Sequence, residues 1–175
     1  MSCTLRNFEP ADADAVNALA LRAFGQFRGA YSDWETFAGN IGRMASLAES
    51  GELIVAEERG RIVGAVVYVG PHRCRQPFFD AEWAILRMLV VDPDFRGRGI
   101  GRLLTDACIS RARCDGASVI ALHTSPIMEV ALPMYLRTGF VLEREVPPIS
   151  GVPYGVYVKR LNAEPSVAGR QPGER

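Results

Sequence analysis

"DPDFRGRGIGRLL", Asp92 to Leu104, sets Gly97, Gly99 and Gly101 at alternate positions beside Arg96 and Arg98, then turns apolar. Glycine weakens helices and strands alike, so three of them directly ahead of a helical pattern need a reason. Together they let the chain turn sharply and aim bare N–H groups at one point, and the positive end of the following helix adds to that field. The run reads either as a cradle for phosphate, with Arg96 and Arg98 adding charge, or as a strand-to-helix turn with no ligand. Two named phosphate motifs fail at defining positions. A Walker A loop needs Lys-Ser/Thr where Arg102-Leu103 stands, and GxGxxG meets Arg102 or Leu104 where its last glycine belongs.

Working outward, Trp83–Val91 is a long apolar strand and Ile100–Cys114 a helix closed by Gly116. The helix turns Ile100, Leu103, Leu104, Ala107 and Cys108 inward and Arg102, Asp106 and Arg113 outward. Upstream, the pattern predicts a strand over Thr4–Phe8, a helix starting at Asp12, and a second helix over Asp33–Ala48. A hairpin follows, with Leu53–Glu57 and Ile62–Val69 joined at Arg59-Gly60, and then a loop that exposes Phe78 and Phe79. Downstream come a strand over Val119–His123, a helix over Met128–Thr138 capped by Gly139, and strands over Phe140–Val146 and Tyr154–Leu161. The order predicts one mixed sheet covered by helices, an α/β or α+β layered domain, over residues 1–162. Residues 163–175 are rich in Pro, Gly and charge and read as a disordered tail.

The 175 residues suit one domain, and a hydrophobic share of 48% suffices for a full core. Lys+Arg and Asp+Glu are equal at 20 each, so no positive field recruits nucleic acid or an anionic membrane. No apolar run approaches the ~18 residues that span a bilayer. The N-terminus is polar within a few residues, which does not fit a signal peptide, and a cytoplasmic location is expected. Cys3, Cys74, Cys108 and Cys114 show no CxxC spacing, so reduced thiols are expected and no metal site.

A second segment, "VALPMYLRTGF", sets Tyr135 four residues before Gly139-Phe140 on the helix after the next strand. With the Arg96-x-x-Gly99-x-Gly101 loop, it resembles the GCN5-related N-acetyltransferase (GNAT) family. The resemblance is specific over Ile85 to Phe140 and fits the order of elements from Thr4 to Leu161. It implies a central, mostly antiparallel sheet of about seven strands flanked by four helices. It also implies acetyl-CoA as co-substrate and direct transfer of the acetyl group to a primary amine. A non-catalytic acyl-CoA-binding module of the same fold is the alternative.

By the same resemblance, Leu89, Val90 and Val91 lie along the pantetheine arm, with Leu89 and Val91 its closer contacts. Arg96, Gly97, Arg98, Gly99, Ile100 and Gly101 hold the pyrophosphate, and a main-chain N–H near Leu89–Val90 polarises the acetyl carbonyl. Tyr135 matches the general acid toward the departing thiolate, with plain core packing as the other reading. Two positions depart from the pattern: Met128 stands where many members carry an asparagine, and Ile85 where some place a catalytic glutamate. That leaves Glu82, His123 or water to remove the proton, with Glu82 slightly favoured, acting through water. The acceptor side draws on Trp34, Phe37, His72, Phe78, Phe79, Tyr154 and Tyr157, which suit an apolar amine or a peptide N-terminus. The final strands, "GVPYGVYVKRL", are apolar enough to allow a homodimer.

Overall fold

A computed structural model describes residues 2–161 of the chain; the tail expected over 163–175 lies outside them. Seven strands form one sheet: β1 (Thr4–Asn7), β2 (Glu52–Glu58), β3 (Arg61–Val69), β4 (Ala84–Val91), β5 (Val119–Thr124), β6 (Val141–Ile149) and β7 (Val152–Arg160). Their order across the sheet is β1-β2-β3-β4-β5-β7-β6, and every neighbouring pair is antiparallel except β4 and β5. Four helices cover it: α1 (Ala13–Phe24), α2 (Trp34–Ile41), α3 (Ile100–Cys114) and α4 (Ala131–Thr138).

The period-two pattern of the strands divides the core between the faces. Ile54, Val66, Leu86, Ile120 and Leu122 pack against α3 and α4, while Val55, Ala65, Val67, Ile85 and Ala121 pack against α1. Gly64 on β3 is required by close approach. A Cβ there would stand 2.9 Å from Ile100 and 3.0 Å from Leu104, so α3 lies on the sheet only because that side chain is absent.

Several boundaries differ from the sequence pattern for identifiable reasons. The second helix stops at Ile41, and a short 3-10 segment, Met44–Glu49, replaces its second half. Gly39 and Gly42 weaken that stretch, and Arg43 leaves helical backbone at φ −110°. The fourth helix begins at Ala131 instead of Met128, because 125–130 are spent in turns closed by Met128 N–H to the Ser125 carbonyl. In α3, Leu103 is exposed and Thr105 is buried, its hydroxyl donating to the Gly101 carbonyl. Phe79, expected exposed, is buried against the α1-side core, with Phe78 beside it.

One buried carboxylate gathers the elements around the glycine run. Asp92, 1% exposed, accepts from Arg22 of α1 at 2.9 and 3.1 Å, from Arg61 of β3 at 2.6 Å and from the Asp94 N–H at 3.0 Å. Burial alone would raise its pKa. The Asp94 N–H and the two guanidinium groups overcome that and hold it below the usual carboxylate value. Replacing Asp92 with Asn keeps the shape but discards the charge. Asp92→Asn is therefore expected to cost about 2 kcal/mol, read as a lower urea midpoint at unchanged slope.

Candidate functional site

β4 and β5 are joined only at Ala84↔Ile120 and Ile85↔Ala121. Beyond Ile85 the two strands part, although β4 stays paired to β3 as far as Val91. A bulge accompanies the parting: Val67 pairs with Arg87 and Ala65 with Val90, so Met88 and Leu89 share one position opposite Val66. Met88 takes φ +54°, a conformation that side chains rarely adopt. The bulge changes the parity of the strand. Before it, Ala84 and Leu86 face α3; after it, Leu89 and Val91 do.

The gap opens into a cavity of about 200 Å³. Leu89, Val90 and Val91 line one side, Met128, Ala131 and Met134 the other, and Arg96 and Gly101 the end. Gly97 and Gly99 sit in left-handed backbone at φ +75° and +78°, with nothing within 4 Å of where a Cβ would be. Gly99 is also the N-cap of α3, so the free N–H groups of the first helical turn open at this end of the cavity. Backbone donors thus face open space at one end of a slot with bare strand edges, an arrangement that could take an anion. A long chain with an anionic head fits it.

Of the predicted cofactor residues, Leu89, Val90, Val91, Arg96 and Gly101 line the cavity, and Gly97 and Gly99 stand in the loop beyond its lining. Arg96 borders the cavity while its guanidinium donates to the Ala23 carbonyl at 3.1 Å, fastening the end of α1 to the loop. Arg98 points elsewhere. It lies over the Phe95 ring at 4.6 Å and reaches Glu58 at 3.4 Å. Ile100 is core, buried against β3. Met128 borders the slot, and Thr124 donates to its sulfur at 3.2 Å.

Tyr135 is 4% exposed and packs edge-on against Phe140, within the same core cluster as Cys108. Burial, and then the Cys108 thiol, raise its pKa, so the phenol stays protonated well past neutrality. Glu82 does not join this group. It is exposed in the turn before β4, at the far end of that strand from Leu89–Val91, with its N–H held by Asp80 at 3.0 Å. The strand begins two residues after it, so it stands outside the slot. Among the described residues, no group of three or more His, Cys, Asp or Glu could hold a metal ion, and no helix is long and apolar enough to cross a membrane.

His123 is on β5, on the face toward α1, between the rings of Phe78 at 4.7 Å and Tyr154 at 4.5 Å. Its buried Nε2 has no hydrogen-bond partner. Burial, and then the positive charge of Arg87, push its pKa down to about 4. Trp34, Phe37 and Tyr154 gather with Tyr31 in an aromatic cluster, where the Tyr31 and Tyr154 hydroxyls lie 2.5 Å apart. Tyr157 is on the opposite face and His72 is exposed in the β3–β4 loop, so neither belongs to this wall. Arg87 was missed by the sequence pattern. It reads there as one charge in an apolar strand, on the face of Ile85 by alternation.

The sequence profile described as acetyltransferase (GNAT) family matches residues 13–140. An uncharacterized N-acetyltransferase of Methanocaldococcus jannaschii is 29% identical over 82% of the chain and 62% of its own length. The chain spans 45% and 27% of two further curated relatives. The L-methionine sulfoximine/L-methionine sulfone acetyltransferase of Pseudomonas aeruginosa is 25% identical over 95% of the chain and 98% of that enzyme. Among solved structures, the PaiA N-acetyltransferase of Thermoplasma acidophilum, in complex with coenzyme A, superposes with a TM-score of 0.67. It is 17% identical, over 92% of this chain and all of that one.

The depressed pKa of His123 has a consequence for stability. Between pH 6.5 and about 4 the unfolded chain binds this proton and the folded chain refuses it, so stability is full above 6.5 and is lost as pH falls. The loss is on the order of 2–3 kcal/mol. Thermal melts across this range should show His123→Phe losing less stability on acidification than the parent; identical slopes would contradict the assignment.

Proposed function

As the chain belongs to the acetyltransferase (GNAT) family, we propose that it transfers the acetyl group of acetyl-CoA directly to a primary amine of a small molecule or a peptide N-terminus. The observation that carries this reading is the slot between β4 and β5 ending at the left-handed Gly97 and Gly99. Its unpaired strand edge suits the amides of a pantetheine arm, and its donor cradle suits a pyrophosphate. The coenzyme A complex of the Thermoplasma protein supports the same ligand here. The small amino-acid-like acceptors in the name of the Pseudomonas enzyme support a small amine.

In this reading Leu89, Val90 and Val91 hold the arm, and a main-chain N–H at the Leu89–Val90 end polarises the thioester carbonyl. Gly97, Gly99, Ile100 and Gly101 supply the pyrophosphate donors through their backbone. Arg96 turns from the Ala23 carbonyl to add charge, and Arg98 contributes only on leaving Glu58. The amine attacks the carbonyl carbon, the carbon–sulfur bond breaks, and the proton lost by nitrogen balances the one gained by sulfur. Tyr135 acts at the sulfur. With its pKa raised far above a thiol's ~8.5, it stabilises the departing thiolate chiefly by hydrogen bonding. Water takes the amine proton. Glu82 stands outside the slot, and His123 at about 4 is too weak a base to hold the proton of an alkylammonium.

Two variants test the assignment. Gly99→Val forces a β-branched residue into left-handed backbone and should abolish the thermal stabilisation by acetyl-CoA while the protein stays folded. Unchanged stabilisation would refute the cradle. Tyr135→Phe should lower kcat on the order of 100-fold with the KM for acetyl-CoA little changed. If acetyl-CoA binds but no thiol is released with any primary amine, the non-catalytic reading of the fold takes its place.

A further inference from the structure

The acceptor side of the slot holds a cation that nothing among the described residues neutralises. Five arginines of the described residues are partly buried: Arg6, Arg75, Arg87, Arg96 and Arg111. Arg6 pairs with Asp12 and Glu57, and Arg111 with Glu52. Arg75 donates to the carbonyls of Gly70, Arg73, Asp80 and Trp83, which it ties into one loop. Arg96 has the Ala23 carbonyl. Arg87 is the fifth, and among the described residues no carboxylate lies within ion-pair distance of it. Burial lowers its pKa, opposed only by the nearby Cys74 thiol. A guanidinium keeps its charge under any such shift, so its five N–H donors, partly buried, have water but no acceptor among the described residues.

Its position is defined by register. The parallel ladder pairs Ala84 with Ile120 and Ile85 with Ala121, and its continuation sets Arg87 opposite His123 just where the strands part. Alternation from Ile85 puts Arg87 on the α1 side, and the bulge adds Met88 to the same face, which also carries His123, Phe78 and Tyr154. His123 is neutral near pH 7 and leaves the Arg87 charge uncompensated. Arg144 donates to the Phe78 carbonyl and lies 5.8 Å from the Trp83 ring centre, which sets a second cation behind that wall.

We propose that Arg87 is the recognition group for a carboxylate on the acceptor, so that the amine acetylated here belongs to a free amino acid with an apolar side chain. This rests on the acetyl-transfer reading and narrows it. Arg87 forms a bidentate pair with the carboxylate, and the wall of Phe78, Met88 and Tyr154 takes the side chain. The amine is left toward the gap, one carbon from the anchored carboxylate. A peptide N-terminus, with an amide in that place, leaves the guanidinium unpaired and is selected against. So is a polyamine, which the cation repels.

The test compares L-leucine, L-leucinamide and 3-methylbutylamine as acceptors by release of coenzyme A thiol, with rates expressed per neutral amine. L-leucine should exceed both others in kcat/KM by roughly 30-fold, the span expected of a charge-assisted bidentate pair. In Arg87→Met the three should converge, with Arg87→Lys between, and acetyl-CoA-induced thermal stabilisation serves as the folding control. Equal use of leucinamide by the parent protein, or a preference that survives Arg87→Met, overturns the proposal. Calorimetric binding of N-acetyl-L-leucine and its amide to the coenzyme A-loaded protein separates the two levels of the argument. If no acceptor is turned over but the acid binds at least tenfold tighter through Arg87, transfer fails and carboxylate recognition stands. If neither product binds, carboxylate recognition fails.

Discussion

β4 is fully paired on one side and almost unpaired on the other, and the rest of the molecule is arranged around that imbalance. A strand in the middle of a sheet ordinarily satisfies its N–H and C=O groups on both sides. Here the ladder to β5 ends at Ile85, so β4 from Leu86 onward offers an internal edge. Such an edge is costly if buried and hazardous if exposed, and a ligand with its own amides relieves both problems. The Met88 bulge lets β4 stay in the β3 ladder while swinging its far end from β5, and α3 and α4 keep the opening from collapsing.

Two arginine contacts tie the first helix to this opening from different directions. Arg22 leaves α1 to reach Asp92 just before the glycine run, and Arg96 leaves the run to reach Ala23 at the end of α1. Helix and loop are thus cross-linked in both senses within a short stretch of surface. The aromatic cluster under α2 extends from the same end of α1 through Phe24 and Phe37. The glycine run and the aromatic cluster are thus joined through one helix end.

The glycine run was legible because its backbone demands are written in residue type: left-handed Gly97 and Gly99 tolerate few substitutes. The same holds for Gly139, at φ +100° beneath Tyr135. The mixed, mostly antiparallel sheet of seven strands was legible once the two segments were matched to a known arrangement. The family resemblance implies a bulge at the end of β4, but its position was not legible, because Met88 adopts a positive φ without any residue signature of a turn. With that position hidden, the face of Leu89 could not be assigned by alternation, whereas that of Arg87, before the bulge, could. Glu82 drew attention as a carboxylate near a strand end, but its distance along β4 emerged only when that strand's start was fixed at Ala84. The second helix was overextended because apolar spacing continues past Gly42 while the backbone does not.

The outer strand β6 shows the same economy with edges. It is the last strand of the sheet, with Val141 and Leu142 more than half exposed, and its ladder to β7 slips between Val146 and Ile149. Pro147 and Pro148 occupy the slip, and neither has an N–H to offer. The same ladder also slips between Leu142 and Arg144, so an incoming strand from another molecule would lose its register twice along this edge, which makes β6 a poor template for edge-to-edge growth.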